Sequence, residues 1–158
     1  MRYTFTLLFS LFVAFVSQAQ NVFTLGPMLH YNIGKNIPNK LSYGLEAAYW
    51  NLDNVPVGFD LGLEFQKGAK RVYLEGQVGA VLAGLAAGPV LEKKNDEPMH
   101  VGWQTNIWAN YFVGANLRWR RINKQSIFAP GIYAKYPFLG SGLNNGSDGD
   151  TDWDDLFD

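Results

Sequence analysis

An alternation of apolar and polar residues that recurs from Phe23 to Phe138 limits what this chain can fold into more than anything else in it. From Val57 to Gln66 the odd positions are Val57, Phe59, Leu61, Leu63 and Phe65. The even ones are Gly58, Asp60, Gly62, Glu64 and Gln66. Successive side chains of a strand point to opposite faces, so a period of two builds one apolar face and one polar, glycine-containing face. Phe23–Ile33 and Leu41–Asn51 repeat the pattern. Val72–Leu82 sets Val72, Leu74, Val78, Ala80 and Leu82 against Tyr73, Glu75, Gln77 and Gly79. Leu85–Glu92 is the least regular stretch because Gly88-Pro89 interrupts it, and proline belongs at sheet edges or bulges. Val101–Arg121 keeps one parity throughout, too long for one ordinary strand at ~3.3 Å per residue. A three-residue reversal near Ala109-Asn110-Tyr111 is therefore expected, and Phe128–Phe138 ends the series. The expected fold class is all-β, with eight antiparallel strands of about ten residues joined by short connections.

The first residues stand outside that pattern. Arg2 precedes an apolar run from Leu7 to Val16, followed by Ser17-Gln18-Ala19. A basic start, a short apolar core and small residues before a cleavage point describe a secretory signal peptide, with cleavage expected after Ala19. The run is shorter than the ~20 residues a spanning helix needs. The expected organisation is a signal peptide over 1–19, a barrel over 20–138 and a flexible acidic tail over 139–158. With no cysteine in the chain, disulfides, thiolate metal sites and lipoprotein lipidation are excluded.

Alternation alone does not say whether the apolar face points in or out. A soluble exported barrel would turn it inward around an apolar ligand, whereas a membrane barrel shows it to lipid. The polar face carries Gly44, Gly58, Gly62, Gly79, Gly102, Gly114 and Gly131 and little lysine, which suits a crowded lumen better than a solvated surface. Strands of ~9–11 residues are what a tilted membrane strand requires. The last strand, Gly131-Ile132-Tyr133-Ala134-Lys135-Tyr136-Pro137-Phe138, ends on an aromatic residue. In these respects the chain through Phe138 resembles the small eight-stranded bacterial outer-membrane β-barrels of the OmpA and OmpX type. That resemblance implies an up-and-down transmembrane barrel in the outer membrane of a Gram-negative bacterium, and it transfers no catalytic residues. The chain departs from the pattern by continuing for twenty residues past the terminal aromatic.

Charge segregates along the threaded strands. With the N-terminus in the periplasm, outer loops fall near Asn32–Lys40, Lys67–Arg71, Lys93–His100 and Ile122–Ser126. The inner turns fall near Asp53–Val55, Ala83–Gly84 and Ala109–Tyr111. Lys35, Lys40, Lys67, Lys70, Arg71, Lys93, Lys94, Arg121 and Lys124 lie in or beside the outer loops, and the inner turns hold no basic residue. A basic rim suits outer-membrane lipid, including lipopolysaccharide phosphates.

The polar face also holds Glu46, Asp60, Glu64 and Glu75, with Arg118, Arg120 and Lys135 on later strands. Paired carboxylates can serve acid–base chemistry. An eight-stranded barrel, however, has an interior just wide enough to be filled by side chains, so these charges are expected to neutralise one another as a plug. A lipid-modifying enzyme of deacylase or acyltransferase type would need a histidine with a serine and a carboxylate. The two histidines, His30 and His100, have no serine two or three residues away. No cofactor is expected, zinc has no ligand set, and no phosphate loop, dinucleotide fingerprint or hydrolase elbow is present. Export argues against a nucleic-acid partner.

Beyond Leu139 comes a Gly/Ser/Asn linker and then Asp148-Gly149-Asp150-Thr151-Asp152-Trp153-Asp154-Asp155-Leu156-Phe157-Asp158. The spaced aspartates look like the start of a calcium loop, but Trp153 stands where glycine is needed and the run ends before a closing glutamate. Trp153, Asp154, Asp155, Leu156 and Phe157 are instead expected to dock on a periplasmic or envelope protein, the aromatics as anchors and the acids for steering. The function expected is that of a non-enzymatic structural component or adaptor of an envelope complex.

Overall fold

Eight strands carry the alternation, residue by residue, in a computed structural model that describes residues 21–139 except 36, 38, 53, 54, 81, 96, 111 and 112. They are β1 (Asn21–Tyr31, continued by Ile33–Gly34), β2 (Leu41–Asn51), β3 (Val57–Gln66) and β4 (Ala69–Ala80). Then come β5 (Ala83–Lys94), β6 (Met99–Asn110), β7 (Gly114–Ile122) and β8 (Gln125–Tyr133, continued by Tyr136–Leu139). Each pairs antiparallel with the one before it, and β8 returns to pair with β1, so the sheet closes with no free edge. No helix occurs among the described residues. The tail anchors expected at Trp153, Asp154, Asp155, Leu156 and Phe157 lie outside the described residues, as does the expected signal peptide.

The apolar set faces out. Phe59, Leu61 and Leu63 are 62%, 51% and 44% exposed, whereas Asp60 and Glu64, between and beside them, are 1% exposed. The same holds around the barrel, with Tyr43, Leu74, Val101, Ile107 and Ile132 outside and Glu46, Glu75, Gln104, Asn106 and Arg118 inside. A barrel that turned its apolar face inward around a ligand is therefore not what this chain forms. Outward aromatics gather toward both ends. Tyr43 packs on Phe65 at 6.0 Å near one end, and the Tyr49 hydroxyl donates to Asn21 near the other.

Several boundaries differ from the sequence reading. The reversal expected at Ala109-Asn110-Tyr111 lies two residues later, because β6 runs to Asn110 and Asn110 pairs with Gly114. A three-residue connection still preserves the parity. Ala83 and Gly84, expected in an inner turn, are the first residues of β5. That strand spans twelve residues despite Pro89. The β4–β5 ladder has no pairing between Tyr73–Val90 and Gly76–Ala87, so the missing N–H of Pro89 falls in a gap. The last strand begins at Gln125, three residues before expectation, and Leu139 still pairs with Val22.

Two hairpins at the end away from the termini are tight, two-residue turns. Asn123 and Lys124 both have positive φ, 46° and 61°, the backbone that matches the twist of flanking strands. Gly68, at φ 86°, serves the β3–β4 turn.

Candidate functional site

The inward residues of β2, β3, β4 and β7 come together as a buried network of ion pairs. On β3, Glu64 faces two guanidiniums. Arg120 of β7 grips it with two nitrogens, Nη1 donating to Oε1 at 2.8 Å and Nη2 to Oε2. Arg71 of β4 donates to the same Oε1 at 2.8 Å, to Glu92 Oε2 at 2.7 Å and to Gln66 Oε1 at 2.6 Å. Arg120 Nε is held by Gln104 Oε1 at 2.8 Å. Paired donors of this kind fix both position and orientation.

Glu46 is the hub of a second group nearer the termini. It accepts from Arg118 and from the Tyr73 hydroxyl, and Lys135 reaches it from the interruption in β8. Lys135 Nζ also donates to Asp60 Oδ1 at 3.1 Å. Arg118 is fully buried, lies over the Tyr73 ring at 4.4 Å and sits 3.4 Å from Met28 Sδ. Tyr73 fits because β3 carries Gly62 at that level; a Cβ there would collide with the phenol ring. Below this group Trp50 and Trp108 meet edge to face, with ring centroids 5.5 Å apart. Gly84 gives that indole its room in the same way.

All seven residues expected in the lumen, Glu46, Asp60, Glu64, Glu75, Arg118, Arg120 and Lys135, face the interior, but they do not form a single set. Glu64 and Arg120 belong to the first group, and Glu46, Asp60, Arg118 and Lys135 to the second, with Arg118 Nη1 4.0 Å from Glu64 Oε2 as the link. Glu75 is fully buried and neither of its oxygens accepts a hydrogen bond. Arg71 corrects the sequence reading, which placed it on the basic rim. It is 3% exposed and central to the first group, with Glu92. Its parity was the available signal, since positions 71, 73, 75 and 77 share one face of β4.

His30 is buried too. Its Nε2 lies 3.0 Å from Asn116 Oδ1 and its Nδ1 3.8 Å from Glu64 Oε2. Ser42 is its cross-strand partner, a neighbour invisible to local spacing, but the Ser42 hydroxyl takes its hydrogen bond from Asn32 Nδ2 at 2.7 Å. Among the described residues the hydrogen bonds join Ser42 to Asn32 and His30 Nε2 to Asn116, and His30 Nδ1 makes none. His100 stands at the far rim, 3.3 Å from Glu97 and 3.5 Å from Asn123.

No protein-family model matches the chain, and no curated protein does. Among solved structures it is similar to a de novo designed transmembrane β-barrel, with a TM-score of 0.47 at 11% identity over 75% of this chain and 97% of that one. It is similar to Ail, the attachment invasion locus protein of Yersinia pestis, with a TM-score of 0.43 at 10% identity over 76% and 99%. It is also similar to the KdgM porin, with a TM-score of 0.27 at 12% identity over 73% and 99%. Identities this low transfer no residue roles.

Proposed function

We propose that this chain is a non-enzymatic β-barrel of the Gram-negative outer membrane, a structural component or adaptor of an envelope complex, with an impassable lumen and a tail that docks a periplasmic partner. The observation that carries the reading is the inside-out partition: large apolar side chains cover the outer wall while arginines and carboxylates are shut inside. Water would not tolerate so continuous an apolar surface, and lipid requires it. Closure of the sheet supports the same reading, because a spanning sheet can leave no backbone edge in hydrocarbon.

Orientation follows from charge. Lys35, Lys67, Lys70, Lys93 and Lys124 are exposed at the end away from the termini, where they meet lipopolysaccharide phosphates. The end holding Asn21 and Leu139 then faces the periplasm, and the acidic segment that follows emerges there. A random chain of its length sweeps several nanometres. Trp153, Leu156 and Phe157 anchor it in a partner's groove, and Asp154 and Asp155 steer it to a basic surface.

Two measurements test this. Planar-bilayer recordings should show little or no steady conductance; a large stable channel would contradict the filled lumen. Cutting the chain after Leu139 should leave heat-modifiable migration in detergent gels unchanged while removing a periplasmic cross-link in intact cells. Ala at both Trp153 and Phe157 should remove most of the same cross-link. If full-length and truncated proteins capture the same neighbours, the tail is only a solvated end.

A further inference from the structure

The second lumen group does not balance. Glu46, Asp60 and Glu75 contribute three carboxylates against the two cations Arg118 and Lys135. The first group has its cations in full, with Arg71 and Arg120 on Glu64 and Glu92, and Lys94 3.8 Å from Glu92 at the rim. Glu75 is the residue left over. It is 0% exposed, directly opposite Asp60 across the β3–β4 ladder, and the groups facing it include the Arg118 and Arg120 guanidiniums and the Gln104 amide. The Gln104 amide faces it as a hydrogen-bonding group, but neither oxygen has a donor in good hydrogen-bond geometry. Asp60 Oδ2 is likewise without a donor. A buried charge without a partner is costly. The unbonded oxygens of Glu75 and Asp60 are free to take a cation beside Glu46, whose own oxygens already accept from Arg118, Tyr73 and Lys135.

Geometry agrees with the count. One carboxylate oxygen from each of Glu46, Asp60 and Glu75 lies within 4.8 Å of the other two. Oxygen ligands stand about 2.3–2.6 Å from a calcium-sized ion, so two ligands of one ion lie at most about 5 Å apart, and these three oxygens meet that limit. We propose that Glu75, Asp60 and Glu46 hold one hard, calcium-sized cation in the lumen beside Lys135, either sodium or calcium. Sodium cancels the surplus charge outright; calcium brings a greater charge to the same oxygens. The ion ties β2, β3 and β4 together at mid-wall, where the side chains alone leave Glu75 unpartnered.

The test is thermal unfolding of the detergent-purified protein, stripped by chelation and held at constant ionic strength in choline chloride. Choline is too large for the site. Exchange of choline for sodium, or addition of calcium, should raise the unfolding midpoint by about 5 °C, as expected for a ligand bound only by the folded state. A response to one ion and not the other identifies which is held. Glu75→Gln keeps the side chain's shape and removes the surplus charge, so it should unfold at the same temperature in all three media. If that variant does not fold, Asp60→Asn should show the same insensitivity. An identical midpoint for the parent in choline, sodium and calcium would overturn the proposal. So would a rise of equal size in Glu75→Gln, which would place the effect at the surface.

Discussion

Leu61→Arg should cost ~2–4 kcal/mol of folding stability in lipid vesicles, the penalty for an arginine on the lipid face at mid-bilayer. Leu61 is the fifth of ten residues in β3, half exposed, and flanked across the ladders by Ala47 and Leu74 on the same outer face. Nothing there can pair with a guanidinium, so it must snorkel or remain unsolvated. Equilibrium unfolding in denaturant, with lipid vesicles as the folding medium, reads the loss directly. Leu61→Phe should be tolerated, since the site is open on its outer side. Arginine one position on, at Gly62, should fail for the opposite reason: the Tyr73 ring already occupies the space its Cβ would need. A Leu61→Arg protein that folds like the parent would mean that the outer face has been assigned wrongly.

Removal of Arg118 should be the most damaging single change inside. Its guanidinium neutralises Glu46, covers the Tyr73 ring and links the two groups of the lumen through Glu64. Arg118→Ala leaves a buried carboxylate short of charge, and breaking a buried pair in this way costs about 3–5 kcal/mol. The pair Arg118→Met with Glu46→Gln removes both charges and keeps the volume, so it should recover at least half of that loss. Denaturant midpoints of the three proteins separate charge from packing. If the double variant is no more stable than Arg118→Ala, the damage lies in lost packing against Tyr73 and Met28.

The architecture was legible because a strand writes its two faces at a period of two. Val57–Gln66 shows this best: five outward apolar residues, five polar or glycine residues between them, and ends that agree with the folded strand. The least regular strand, β5, was hard to read because Pro89 breaks the local pattern while the fold places it at a gap in one ladder only. Which charges meet was less legible. Glu46 and Arg118 lie seventy-two residues apart and touch only because an eight-stranded barrel brings β2 and β7 across a narrow interior. Arg71 was misplaced on the rim because it closely follows a tight turn, where loop and strand look alike in sequence. Ser42 and His30 meet by ladder register, which no spacing within one strand reveals.

In a membrane-spanning barrel of this register, odd-numbered residues of β3 touch lipid while even-numbered ones are sealed inside. Because the chain has no cysteine, single cysteines can be placed one at a time from Val57 to Gln66, spin-labelled, and read in vesicles by electron paramagnetic resonance. Collision with membrane-dissolved oxygen should be high at 57, 59, 61, 63 and 65 and low at the positions between, those that fold at all being immobile. The reverse phase, or an oxygen accessibility without a period of two, would contradict this arrangement.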